Sequence, residues 1–399
     1  MSKHQLEHIL QCHPIARTDI SRGCNTDLFT RDGAKIVDFE AGTWAAALGH
    51  SHPRINSIII GQIEKIMHTH YKLTSDMAED LAINLVELLN WKDGKAIFLS
   101  SGSEAVELGM RLARLVSRGD KMLTFQSSYL SAYPSTSFPR QENAWVQVDH
   151  QQCNGCRKTE CSSCSVLSEL DFAGIAAFIF EPGNSGGRVL LQPNKLVKFL
   201  AREVKKQGGL IVANEVTTGL GRTGKWFGYN HYDLEPDIVT LGKALGNGYP
   251  ISAVVIKKAV ASSVESSNFV YAQSHQNDPL GCAIANEVIA IIKEKNLIKR
   301  TSEVGAFFLR QLNMLQQECP IIKEVRGRGL MIALELTISD VTENVFEKML
   351  AKGYFIGTAP AANLLRFYPA LTVSKKDILG VCKALKEVLG SHRVLTGKT

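Results

Sequence analysis

No stretch of the 399-residue chain approaches the ~18 to 20 consecutive apolar residues of a membrane span. The opening segment MSKHQLEHILQCHPIARTDIS has no apolar run of signal-peptide length either, so no membrane partner and a cytoplasmic location are expected. A dense Lys/Arg stripe is also missing: 45 basic and 39 acidic residues leave a net charge of +6 spread along the chain. That distribution argues against a nucleic-acid surface. Internal repeats, low-complexity tracts and Pro/Ser-rich linkers are absent, so domain boundaries must come from the order of elements. Of nine cysteines, Cys12, Cys24, Cys282, Cys319 and Cys382 are isolated and read as small hydrophobes of a reducing compartment.

What is present is enough apolar residue, 45%, for a large core. Short apolar runs at KAIFLS (95–100), DKMLTF (120–125), IAAFIFEP (175–182), GLIVANEV (209–216) and DIVTLGKAL (237–245) read as strands. Helical spacing falls between several of them, as in Leu196, Phe199, Leu200 and Val204, or Leu81, Leu85 and Leu88. The alternation predicts an α/β fold, a mostly parallel sheet covered by helices on both faces. Beyond about residue 295, the order helix (Val304 to Leu315), Gly-rich strand (325–336), helix, strand (364–371) predicts a smaller α+β domain.

Two segments carry chemistry. Ser101, Gly102 and Ser103 follow a strand and open a helix with Leu108, Leu112 and Leu115 on its apolar face. Free amides and the dipole at such a start favour a phosphate, although an ordinary N-cap completed by Glu104 explains the same residues. The second segment, residues 211–255, is polar and Gly-studded between apolar strands and ends in Lys243 followed by GNGYP. A lysine buried at a strand end loses its proton readily and becomes a nucleophile toward aldehydes; a surface lysine at a turn is the plainer alternative.

With these residues in view, the chain resembles the class III (ornithine/acetylornithine/4-aminobutyrate type) PLP-dependent aminotransferases of fold type I. The resemblance rests on RDGAKIVDF (31–39), LGHSHP (48–53), SSGSEA (100–105), EP (181–182), EVTTGLGRTGKWF (215–227), PDIVTLGKALGNGYP (236–250) and LLRFYP (364–369). It implies an N-terminal segment (1–52) packing with the small domain, a large cofactor-binding domain (53–295) and a C-terminal small domain (296–399). It further implies that Lys243 binds PLP as a Schiff base and shuttles the substrate proton, that Ser101, Gly102 and Ser103 hold the phosphate, and that Tyr129 and Val216 cover the two ring faces. Ser274 would reach the phosphate of a neighbouring subunit, making the active unit a homodimer. Arg366 would hold a substrate carboxylate, a task suited to a guanidinium, with a structural ion pair as the alternative. Trp44 would line the substrate pocket, or else belong to the core.

Three positions depart from the family pattern. Asn214 aligns with the carboxylate that keeps the pyridine nitrogen protonated, and an amide cannot supply that charge. Thr217 stands where a glutamine often contacts the ring hydroxyl. Gly186 occupies about the place of the glutamate that gates the arginine in relatives acting on ω-amines. Glu215 could substitute for Asn214 only against strand alternation, which points it the other way.

CNGCRKTECSSC places Cys153, Cys156, Cys161 and Cys164 in a C-x2-C-x4-C-x2-C array outside the family motifs. Structural Zn²⁺ is the leading reading; iron–sulfur ligation, a redox pair and an unmetallated loop are the alternatives. His50, His52, His68 and His70 have no carboxylate or thiolate at ligand spacing in the sequence and read as structural. The function expected is amino-group transfer from an amino acid or ω-amine to a 2-oxo acid, both small molecules, through pyridoxamine phosphate. A PLP-dependent racemase or epimerase, a catalytically weakened variant and a non-catalytic protein retaining the fold are the competing readings.

Overall fold

The chain opens with three short strands, β1 (Ile20–Cys24), β2 (Asp27–Thr30) and β3 (Lys35–Asp38), paired antiparallel. They belong to a computed structural model that describes residues 8–390, except 118, 154, 155, 157–160, 165, 166, 168, 169 and 185. The five predicted apolar runs supply β4 (Lys95–Leu99), β5 (Lys121–Phe125), β7 (Ile175–Phe180), β8 (Leu210–Asn214) and β9 (Ile238–Leu241), and together with β6 (Trp145–Val148) and β10 (Ser252–Ile256) they form one seven-stranded sheet. Its order is β4-β10-β9-β8-β7-β5-β6.

All neighbours in this sheet run parallel except β10, which is antiparallel to both β4 and β9. The reason is connection length. Among the described residues an α-helix carries the chain back over the sheet between β4 and β5 and between β7 and β8, but only residues 242–251 separate β9 from β10, too few for a parallel crossover. That short return is the segment that holds Lys243.

Side-chain alternation divides the core between the two faces. Phe178 and Phe180 of β7 pack on one face with Phe125, Ile211 and Leu200, while Ala177 and Ile179 meet Val106, Met110 and Ala113 of the helix Gly102–Ser117 on the other. This helix crosses β7 through β10, and the helix Asn194–Lys206 covers β7 and β8 from the opposite side. Burying each such Phe or Ile contributes about 1.5–3 kcal/mol, so the sheet is held as a rigid platform.

After the helix Leu297–Glu318, β11 (Ile322–Arg328) and β12 (Met331–Leu336) form a hairpin where a single Gly-rich strand was expected. Following β13 (Tyr354–Phe355), β14 (Gly357–Ala359) and β15 (Leu364–Phe367) complete a third sheet of order β11-β12-β15-β14. Strand β13 instead pairs in parallel with β3, so the first and last parts of the chain share a sheet. No helix among the described residues is long and apolar enough to cross a membrane.

Candidate active site

The carboxyl ends of β8 and β9 bring the key polar groups together, the usual place for a ligand in such a sheet. Lys243 follows β9 directly and opens a short 3₁₀ turn with φ +43°. A non-glycine residue in this left-handed region is strained, as functional residues often are. Its buried Nζ donates to Thr217 Oγ1 at 2.8 Å. Burial lowers its pKa to about 8; Glu181 pulls upward, while Arg222 and Arg366 push further down. An amine that is partly neutral near physiological pH is thus built into the sheet end.

The helix start lies beside it. Ser101 and Glu104 form a reciprocal cap: the Ser101 amide donates to Glu104 Oε2 at 2.7 Å, and the Glu104 amide to Ser101 Oγ at 3.3 Å. The N-cap reading of this motif is therefore realised. Gly102 and Ser103 sit in the first turn, where amides have no carbonyl four residues back inside the helix. Gly102 must be glycine, since a Cβ there would sit 2.6 Å from Val216 Cγ1. The Ser103 hydroxyl accepts from the Ala132 amide at 3.0 Å.

Asn214 is buried at the end of β8. Its Oδ1 accepts from the Val216 amide at 3.2 Å, and its Nδ2 makes only a 3.5 Å approach to Leu130 O. Glu215 points to the other side, as alternation required, and accepts from the amides of Gly228 at 2.8 Å and Tyr229 at 2.7 Å. Burial pushes its pKa up to about 7 against those bonds. Tyr129 is 45% exposed, with its amide on Glu181 Oε2 at 3.0 Å. Close contacts of Gly102 with Val216, Val216 with Asn214 and Lys243 with Thr217, and the adjacency of Ser103 to Gly102, gather these residues at the same end of the sheet. Ser274 is exposed and follows Gln273, whose side chain reaches Ser100 and Glu104 at the same helix start.

Trp44 and Arg366 form the opposite wall. The Trp44 ring lies 4.7 Å from Lys243 Nζ and 5.0 Å from the Arg366 guanidinium, with Tyr368 stacked on it at 4.8 Å. Ala41, Gly42, Thr43 and Trp44 all have positive φ, a left-handed turn that costs ~1 kcal/mol or more at each non-glycine residue. Asp38 pins it, accepting from the amides of Glu40 at 2.7 Å and Gly42 at 2.9 Å and bonding His50 Nε2 at 2.8 Å. Arg366, in β15, donates through Nε and Nη2 to Glu40, at 2.8 Å for Nη2. Burial would depress the Arg366 pKa, but the Glu40 charge outweighs it and raises it.

Sequence reasoning passed over Glu40, Asn184 and Tyr368. The Tyr368 hydroxyl donates to Asn184 Oδ1 at 2.6 Å, and Asn184 Nδ2 to Glu181 Oε1 at 2.8 Å, which joins β15 to the Tyr129 loop. Nothing local in FEAGTW, GNSGG or RFYP marks these partners, because each pair is formed by segments distant in the chain.

The four clustered cysteines are thiols rather than disulfides and are partly buried. Each C-x2-C pair closes a turn, with the Cys156 amide on Cys153 O at 3.1 Å and the Cys164 amide on Cys161 O at 3.0 Å. Burial, then the neighbouring Cys164, Cys156 and Cys161, raises the Cys153 thiol. For the histidines the structure corrects the sequence reading that no carboxylate partners them. Beyond His50 on Asp38, His68 and His275 both bond Asp278, at 3.1 and 3.0 Å.

Residues 11–389 match the family described as aminotransferase class-III. The chain is 31% identical over 376 residues to an acetylornithine aminotransferase of Methanocaldococcus jannaschii, covering 92% of each chain. It is 28% identical over 420 residues to human mitochondrial alanine–glyoxylate aminotransferase 2, covering 92% of this chain and 80% of that one. Among solved structures, a Bacillus anthracis aminotransferase superposes with a TM-score of 0.89 at 24% identity, over 96% of both chains. An acetylornithine aminotransferase from Elizabethkingia anophelis gives 0.82 at 25% identity, over 98% of this chain and 97% of that one. A family match across nearly the whole chain, with the fold to go with it, establishes that this protein belongs to the class-III aminotransferases.

Proposed function

We propose that this class-III aminotransferase works through Lys243 as the residue that binds PLP and moves the substrate proton. The observation that carries the reading is the Lys243 amine: buried, with its pKa lowered to about 8, and facing Thr217 and the Trp44 ring. The residues present fit the cofactor. First-turn amides at Gly102 and Ser103 suit its phosphate, the exposed Tyr129 ring and Val216 suit its planar ring, and Asn214 Nδ2 keeps a donor in reserve for the ring nitrogen. When bound, PLP supplies a sink for the electrons left at the substrate carbon after its proton is removed. Lys243 holds that proton, Asn214 orients the ring without charging it, and Trp44 with Arg366 positions the substrate.

Relatives bearing transaminase names favour transfer over racemisation, so the second substrate is a 2-oxo acid acceptor. The test is a screen of amine donors, read by bleaching of the visible cofactor band, on the native protein and on Asn214→Asp. The aspartate should speed bleaching on the order of tenfold, the effect of about one pKa unit of extra ring-nitrogen basicity. No acceleration would remove Asn214 from the ring nitrogen.

Two further assignments belong to the same reading. A homodimer, each subunit lending Ser274 to its partner's phosphate site, is supported by the exposure of Ser274, which leaves it available to a second chain. A structural Zn²⁺ on Cys153, Cys156, Cys161 and Cys164 is supported by the paired C-x2-C turns. Metal analysis of the purified protein should find about one zinc per chain, and a metal-free protein would end that assignment.

A further inference from the structure

The carboxylate site in this cleft is already occupied by the protein's own carboxylate. Glu40 is 5% exposed and accepts from Arg366 Nε at 3.1 Å, Arg366 Nη2 at 2.8 Å and Trp44 Nε1 at 3.1 Å. A guanidinium offers two edges for bidentate bonding, and Glu40 takes the Nε/Nη2 edge. The remaining Nη1 lies against the loop after β7, where a Cβ on Gly187 would come within 2.7 Å of it.

Two features show that Glu40 is fixed rather than free to swing. The backbone around it is the left-handed turn clamped by Asp38, which bonds the Glu40 amide itself. The ion pair also lies directly over Gly357 in β14, where any Cβ would collide with Glu40 Cδ and with Arg366 Nε.

On the reading of the site given above, we propose that Glu40 is a specificity-determining residue that opposes any substrate carboxylate at Arg366 and so favours donors whose reacting carbon carries none. A carboxylate approaching Arg366 shares the guanidinium with Glu40 and gains less than a full ion pair. It also places a second anion beside a buried one, where little water screens the repulsion. A primary-amine donor lacking that group leaves the Glu40–Arg366 pair undisturbed. The absent gate at Gly186 and the fixed glutamate at Glu40 thus combine into a site whose arginine is neutralised by the segment that carries Trp44.

The test compares the native holoenzyme with Glu40→Gln and with the double variant Glu40→Gln/Arg366→Gln. Glutamine keeps an oxygen for Trp44 and Arg366 while removing the charge. Two readouts are taken: kcat/KM for 2-aminobutyrate against 1-propylamine, which differ only by the carboxylate, and binding of propionate read by tryptophan fluorescence without turnover. In Glu40→Gln the ratio should shift toward 2-aminobutyrate, and propionate should bind more tightly, each by roughly tenfold or more, with both gains lost in the double variant. Unchanged or weaker propionate binding in Glu40→Gln overturns the proposal and makes Glu40 a mere support for Arg366. If propionate tightens but neither donor reacts in any protein, the transfer reading fails for these donors while the role of Glu40 stands.

Discussion

Two cations lie beside the Trp44 ring, and burial has opposite consequences for them. Lys243 has a hydroxyl as its hydrogen-bond partner, so desolvation prevails and its pKa falls to about 8. Arg366 has a carboxylate on one edge, so its charge is held and its pKa rises. The contrast shows that burial alone does not decide the state of a charged group; the partner does. In the proposed function, Lys243 is thereby prepared for chemistry and Arg366 for recognition.

That comparison can be broken most forcefully at the arginine. Arg366→Gln strips Glu40 of its countercharge inside the protein and should lower stability by about 3 kcal/mol, measured by denaturant unfolding. Removing the lysine should do the reverse. Its folded pKa lies below the value of 10.5 for a free lysine, so the native state sheds its proton first and native stability rises with pH between about 8 and 10.5. Below that window the cost of a charged buried lysine is fully present, and Lys243→Met should there gain on the order of 2 kcal/mol in the cofactor-free protein while abolishing turnover. Above the window the gain should vanish. The finest adjustment is Thr217→Val, which withdraws the hydroxyl that accepts from Lys243. The acid limb of cofactor attachment should move below pH 8 by less than about one unit, followed by absorbance across a pH series.

Much of the fold was legible because buried parallel strands are nearly continuous apolar runs, and IAAFIF and LIVAN need no tertiary knowledge to be seen. Residues 252–256 were harder, lying in a run that reads as the tail of a loop motif; their antiparallel direction follows from the short return after β9. In the site, Lys243, Gly102 and Asn214 were visible because each ends or follows a strand in a recognisable motif. Glu40 was not, since its partner stands in β15 and a lone glutamate after VDF carries no local signal. His68 was misjudged on the same ground, its carboxylate Asp278 being remote in sequence.

The sequence by itself determined the layered α/β architecture and the family, and it picked out the proposed cofactor-side residues, because these depend on hydrophobic period and on motifs read within a few residues. Only the tertiary structure decided the electrical character of the substrate side. Coulombic and hydrogen-bond energies depend on distance in space, and the left-handed turn at Ala41–Trp44 sets Glu40 against an arginine carried by the last strand.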